Sequence, residues 1–348
     1  MARTSIGLDI GTSGVRAAEV AHTRSGPVLE RFASVALPHG AVRDGDVLDG
    51  SAVAAAVAEL WQTGRFRSKK AVVGVASQKV VVRSVDLPKM PPEDLRRALP
   101  FQVQDVLPMP VDQAVLDFHP VEERTSGGQT TLRGLLVAAA EDSVMSRVEA
   151  VRKGGVRVTG VDLAPFALLR ALATPGSGDG AEAVVDVGAR VTNVLVHSAG
   201  APRFVRVLLG GGDRVVDELV TSGLDPDDAR RLLRDEGVRP PAGGSSDPRS
   251  SEVTVRAAER LADGVRGSLD YYSATQGGDP LRGVVLVGGT ALVPGFVDLL
   301  SEVVGLPVRR GDALAHLVVG RGGTAEGPDR DVAVLAGVPV GLALGGAA

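Results

Sequence analysis

The chain has 348 residues, of which 44% are hydrophobic and only 3% aromatic, and a formal net charge of −4. That length exceeds what one hydrophobic core usually serves, so two domains with cores of Val, Leu and Ala are expected, and the slightly acidic balance gives no electrostatic case for nucleic acid. The absence of cysteine excludes disulfides, thiolate metal sites and cysteine nucleophiles, and the five histidines show no metal-ligand pairing.

After Ala2-Arg3-Thr4 the chain enters a strand with no secretory leader, and no run reaches the roughly 18 uncharged apolar residues of a spanning helix. A cytoplasmic location without membrane insertion is the expectation. The first segment reads as a β-meander over Ile6–Ile10, Val15–Val20 and Val28–Leu37. A helix follows over Ser51–Thr63, with Val53, Val57, Leu60 and Trp61 at helical spacing. Short β-branched runs at Ala71–Ala76 and Val80–Val85 come next.

From Leu87 the pattern changes to LPKMPPEDLRRALPFQVQDVLPMPVDQAVLDF, one amphipathic helix punctuated by prolines, with Glu93 and Asp94 in its first turn. Strands at Ala114–Val121 and Thr131–Ala140, separated by the polar turn at residues 125–128, lead to a helix at Asp142–Lys153. A short strand near Val156–Val161 completes an α+β unit that reads as an insertion, because a helix at Pro165–Ala173 then resumes the earlier pattern. The second half opens with the same meander, at Ala183–Val187, Thr192–His197 and Arg203–Leu209. Helices at Asp213–Thr221 and Asp225–Asp235, a Pro-, Gly- and Ser-rich mobile loop from Val238, and a long helix at Val253–Tyr272 precede a buried strand at Val284–Val287 and a helix at Gly295–Val304. The apolar tail from Val332 is interrupted by Pro339 and glycines.

The most informative feature is a repeat. SIGLDIGTSGVRAAEV, from Ser5, returns as AEAVVDVGARVTNVLV from Ala181, and each copy sets Asp-x-Gly between a strand and a turn, at Asp9 and Gly11 and at Asp186 and Gly188. Glycine lets such a turn bring backbone N–H groups against phosphate oxygens, and Thr12 and Ser13 add hydroxyl donors. Two carboxylates facing a phosphate chain would repel it unless a hydrated divalent cation lay between them, so Asp9 and Asp186 are candidate Mg²⁺-side and catalytic residues. One Asp-x-Gly would mean little among 45 glycines. Asp235-Glu236-Gly237 matches the letters too, at the end of a charged helix and after no strand. Gly288-Gly289-Thr290, between the buried strand and the next helix, suits either an ordinary β-to-α turn or close approach to a planar nucleoside.

Hairpin, hairpin, then Gly-Gly-Thr before a helix resembles the actin, Hsp70 and sugar-kinase superfamily. The insert, together with LRGLLVAAAEDSV, GGVRVTGVDLAPFALLRAL and VAVLAGVPVGLAL, looks like the PilM family of type IV pilus assembly proteins, with the cell-division FtsA family as a relative of shared architecture. The resemblance implies an α/β fold of two lobes, each a ribonuclease-H-like domain, with a small inserted subdomain. Boundaries on that basis are 1–86 and 160–180 for the core of lobe I, 87–159 for the insert, 181–212 and 281–348 for the core of lobe II, and 213–280 for its small subdomain. It also implies ATP and Mg²⁺ as ligands, with Asp9, Gly11, Thr12, Ser13 and Arg16 at the first phosphate loop and Asp186, Gly188, Thr192 and Asn193 at the second. Gly211 and Gly212 match the glycine pair leading into the smaller subdomain, and Gly288, Gly289 and Thr290 match the adenosine motif.

The implied role is a scaffold, at most a weak ATPase, that binds the N-terminal cytoplasmic tail of a PilN-like inner-membrane protein. It would sit peripherally at the inner membrane through the pilus assembly complex. Leu95, Leu99, Val103 and Leu107 are candidates for the peptide groove, although that spacing serves core packing equally well and more often. An FtsA-like filament former and a sugar-kinase-type phosphotransferase are the alternatives. The chain departs from the family at Asn193, which stands where an acid is common, and at Arg190, which either pairs with a phosphate or obstructs the loop. Gln102 and Gln104 replace glutamates.

Overall fold

The computed structural model describes residues 3–126, 128–173, 180–238, 247–275, 279–320 and 330–346. The first lobe begins with an antiparallel meander, β1 (Arg3–Ile10), β2 (Gly14–Thr23) and β3 (Gly26–Ala36). A small hairpin, β4 (Val42–Arg43) and β5 (Asp46–Val47), leads to α1 (Gly50–Gly64), and β6 (Lys70–Val75) returns parallel to β1. Asp49 caps α1 by accepting from the amides of Ser51 and Ala52.

The inserted unit follows. β7 (Val80–Pro88), α2 (Pro92–Val103), β8 (Ala114–Ser126) and β9 (Gln129–Ala140) form a three-stranded antiparallel sheet in the order β7-β9-β8 under one helix. Pro92 sits in the first turn of α2, where no amide donor is lost. Leu99 and Val103 are buried against Leu87 and Leu136, with Leu95 and Leu107 packed beside them. The apolar stripe of α2 is therefore this unit's core.

α3 (Glu141–Lys153) and β10 (Arg157–Leu163) then return to the first lobe. β10 pairs in parallel with β6, and Ala150 and Val151 of α3 share a core with Val53, Val57 and Leu60 of α1. This corrects the insert as read from sequence. Its sheet begins at Val80 rather than after residue 86 and ends at Ala140 rather than 159, because a β-α-β run does not reveal which sheet its last strand joins.

α4 (Ala164–Leu172) crosses to the second lobe, where β11 (Ala181–Val187), β12 (Val191–Ser198) and β13 (Ala201–Leu209) repeat the meander. α5 (Gly212–Thr221), α6 (Pro226–Asp235) and α7 (Pro248–Thr275) build the smaller subdomain; β14 (Leu281–Val287), α8 (Phe296–Val304) and β15 (Val308–Arg310) complete the second sheet. Of the loop expected from Val238, residues 239–246 lie outside the described residues, and from Pro248 the chain is already helical. Gly127 of the insert's turn also lies outside them.

Strand orders β3-β2-β1-β6-β10 and β13-β12-β11-β14-β15 match element for element, so the repeated motif marks a repeated fold. β16 (Val318–Val319), although late in the chain, pairs with β3 of the first sheet. After α9 (Arg330–Leu335), α10 (Gly337–Gly345) also returns to the first lobe, packing on β1, β2, β6 and α4. The expected grouping of residues 281–348 in lobe II thus fails for the C-terminal helix.

The packing of α10 explains its glycines. A Cβ on Gly341 would collide with the Ala167 carbonyl of α4, and one on Gly7 would collide with the Pro339 carbonyl of α10. Backbone touches backbone on both sides of this helix. Gly341→Ala should therefore lower stability by about 3 kcal/mol through overpacking. Gly267→Ala on α7, where nothing stands within 4 Å, should raise it by up to about 1 kcal/mol through helix propensity. Urea unfolding of the two variants beside the parent chain checks both signs.

Candidate nucleotide site

Each meander ends its first strand in a carboxylate and turns tightly. The Gly11 amide donates to the Gly14 carbonyl at 3.0 Å, and the Gly188 amide donates to the Val191 carbonyl at 3.0 Å. In the first hairpin Asp9 faces Arg16 across the strands; in the second Asp186 faces Asn193. Both opposing side chains carry nitrogen donors. Arg16 Nη1 lies 3.8 Å from Asp9 Oδ2, and Asn193 Nδ2 donates to Asp186 Oδ2 at 3.1 Å. Asn193, where an acid was the familiar residue, thus holds the second carboxylate in place.

The two hairpins line one cavity of about 610 Å³. Asp9, Gly11, Thr12, Ser13 and Arg16 bound it from the first lobe, and Asp186, Gly188, Asn193, Gly212, Gly288, Gly289 and Thr290 from the second. Two predicted residues lie outside this lining. Thr192 is fully buried, and its hydroxyl donates to the Gly210 carbonyl at 2.8 Å. Gly211 is required because a side chain there would strike the Gly188 carbonyl. Both shape the second turn from behind.

Gly288 has a similar structural reason. Its φ of +87° is left-handed, and a Cβ would meet the Asp186 carboxylate and the Val187 carbonyl. Thr290 Oγ1 donates to the Gly188 carbonyl at 3.1 Å, tying the third glycine motif to the second hairpin. Only Gly289 of this group faces open space. Arg190 is not among the residues that line the cavity. Its guanidinium turns onto α5 and pairs with Asp213 at 3.2 Å and Asp217 at 2.8 Å.

Arg147 on α3 was not evident from motifs. It is buried, donates Nη1 to the Ile10 carbonyl at 3.1 Å and Nη2 to the Gly45 carbonyl, and lines the cavity beside Asp9. The available signal was a cation on the apolar face of a helix, among Val144, Ala150 and Val151. At the far end, Val216 of α5, Leu233 of α6, Leu292 and Val293 give the cavity an apolar wall with Arg230 and Arg234 beside it. An apolar pocket reached through a few convergent polar groups suits a flat heteroaromatic base joined to an anionic tail.

Burial raises the pKa of Asp9, against the opposing fields of Arg16 and Arg147. Burial also pushes Asp186 up to about 6; the Asn193 hydrogen bond opposes this, while the nearby Asp9 charge adds to it. The Asp9 charge is therefore felt at Asp186 across the lobes.

The type IV pilus assembly protein PilM family matches residues 7–346, and the chain belongs to it. Among curated relatives, cell division protein FtsA of Streptococcus pneumoniae is 25% identical over 90% of this chain and 78% of its own length. FtsA of Pseudomonas aeruginosa is 25% identical over 88% and 82%. Among solved structures, a PilM–PilN type IV pilus biogenesis complex superposes with a TM-score of 0.85 at 25% identity, covering 99% of this chain and 98% of that one. MreB5 of Spiroplasma citri bound to ADP shares the fold at 12% identity and a TM-score of 0.50, covering 97% and 94%.

The raised Asp186 carboxyl has a stability consequence. Unfolded, it titrates near 4; folded, near 6. The folded chain holds this proton more tightly, so the stability it contributes is complete below about pH 4 and is lost as pH rises toward 6. Asp186→Asn should remove this pH slope and make the ligand-free protein more stable at pH 7 by about 1–2 kcal/mol, a figure discounted for solvent reaching the carboxyl through the cavity. Thermal unfolding at pH 5 and pH 7 measures it.

Proposed function

We propose that this PilM-family chain is a nucleotide-binding scaffold of a type IV pilus assembly complex. ATP lies between its two hairpins, and the N-terminal tail of a PilN-like inner-membrane protein lies on its inserted unit. The observation that carries this reading is the near-complete likeness to the PilM–PilN complex. The cavity supports the nucleotide half, because two glycine turns and two carboxylates converge where a triphosphate would need donors and a counter-ion.

The residues fit a magnesium ion held mainly by water and phosphate. Among the described residues no cluster of three or more His, Asp or Glu could ligate a metal by itself. Asp9 and Asp186 can accept from the ion's waters, and Asn193 Oδ1, buried without a partner, offers a further acceptor. Bound there, Mg²⁺ would neutralise the phosphates. Thr12 and Ser13 would offer the phosphates hydroxyls and Arg16 a guanidinium, at turns that the Gly11 and Gly188 amides close by donating to the Gly14 and Val191 carbonyls. This set binds and orients; hydrolysis, if it occurs, would be slow without a further base aimed at a water.

On the insert, the α2 stripe packs inward, and of its four residues Leu99 also lines a groove beside the helix. This groove of about 750 Å³ runs between Arg96, Phe101 and Gln104 on one side and Met109, Pro110 and Leu116 on the other. Phe101 is 78% exposed. An aromatic ring standing free over an apolar trough suits a short peptide that orders on binding. The FtsA relatives keep a second reading in view, a division filament. α10 itself is largely buried against the first lobe. Peripheral membrane association through a partner accords with the pilus reading.

Co-purification with the PilN-type tail, together with calorimetric titration of ATP and Mg²⁺, tests both halves. The parent chain should retain the tail and bind nucleotide. Phe101→Ala should weaken tail binding at least about tenfold and leave nucleotide affinity unchanged, whereas Asp9→Ala should do the reverse.

A further inference from the structure

The end of the first lobe opposite the cavity is a basic rim. β1, β6 and β10 run in parallel, with their C-terminal ends at the cavity and their starts at the opposite edge, about 20 Å away for a six-residue strand. Those starts and the adjoining helix ends carry Lys69 and Lys70 before and in β6, Arg157 opening β10, Arg152 and Lys153 ending α3, and Arg65 capping α1. All six are exposed. The Arg157 amide donates to the Lys69 carbonyl at 2.7 Å, and Arg157 sits opposite Lys70 in the sheet, so the basic residues of separate elements are adjacent in space.

Acids offset this rim only in part: Glu30 engages Arg67 at 3.3 Å, outside the six; Glu59 stands six residues before Arg65 on α1; and Glu149, exposed one turn before Arg152 and Lys153 on α3, neighbours those two cations. A chain of net charge −4 thus concentrates positive charge at one end. Arg152 and Lys153 complement a helix dipole, but this does not account for the other four.

We propose that this rim is a contact surface for an anionic lipid bilayer, engaged by charge and without insertion. Neither of the two cavities described above is lined by any of the six residues. Of the exposed large apolar side chains, Phe101, Tyr271 and Val318 lie on other elements, Val161 stands on β10 four residues beyond Arg157, and Met145 stands on α3 seven residues before Arg152. A protein interface would want an apolar anchor, and a single-stranded nucleic acid would want exposed aromatic faces. Phe66, the ring nearest the rim, is half-buried against Trp61 at 5.1 Å. Lysine and arginine side chains spread along an edge match an extended sheet of negative headgroups. The inference stands independently of the pilus partner, since the rim lies on the first lobe, away from the groove of the inserted unit.

Co-sedimentation of the full chain with vesicles of phosphatidylglycerol and phosphatidylcholine, and with phosphatidylcholine alone, tests it. Binding to the anionic vesicles only is expected, weakening at least about tenfold as salt rises from ~0.05 to ~0.3 M. Lys69→Glu, Lys70→Glu and Arg157→Glu combined should abolish it. The corresponding Gln triple variant, if the charge reversal disturbs folding by circular dichroism, should weaken it at least about tenfold. Absent binding at low salt, equal binding to neutral vesicles, unchanged binding by a folded Gln variant, or a preference for polyglutamate or duplex DNA over vesicles would each overturn the proposal.

Discussion

Two carboxylates, Asp9 and Asp186, are held against one cavity from opposite lobes, and most of the site follows from that opposition. Charge so placed is costly, as the rise of the Asp186 pKa to about 6 records. The surroundings offset part of the cost with a nitrogen donor opposite each carboxylate, Arg16 in one hairpin and Asn193 in the other. A bound cation would offset more. The opposed carboxylates are thus an electrostatic cost within the fold, as functional pockets often are.

Holding the hairpins in place depends on backbone approaching backbone. α10 lies on β1 through Gly7 and on α4 through Gly341, and α4 touches both sheets. The last helix of the chain thereby braces the first strand, at whose end Asp9 stands. Arg147 braces the same strand end from the other face by binding the Ile10 carbonyl and joining it to the β4–β5 hairpin at Gly45. Ser143, one turn earlier on α3, and Lys79, at the root of the insert, both engage Asp46 of that hairpin. A polar chain thus runs from the cavity wall to the base of the inserted unit.

Much of this was legible in the residues. The duplicated Asp-x-Gly hairpins were visible as paired strings, because a tight turn after a buried strand permits few residue types. Their cross-strand partners were not, since a spacing of seven residues gains meaning only once the register sets Asp9 against Arg16 and Asp186 against Asn193. Thr192 and Gly211 illustrate the converse. Their residue types suit a ligand, yet their positions behind the turn assign them to its packing. The α2 stripe favoured core over groove by its pattern, and Leu87 and Leu136 lie beneath it.

By itself the sequence determined the two-lobed α/β repeat, the inserted unit and the family, since periodicity, glycine turns and a distinctive insert are local in the chain. The tertiary structure alone decided where the insert ends, which lobe receives the C-terminal helix, that Arg190 turns away onto α5, and that Arg147 and a basic rim exist at all. Each of those outcomes depends on residues far apart in sequence meeting in space, where sheet register, backbone clearance and burial settle what no local pattern can specify.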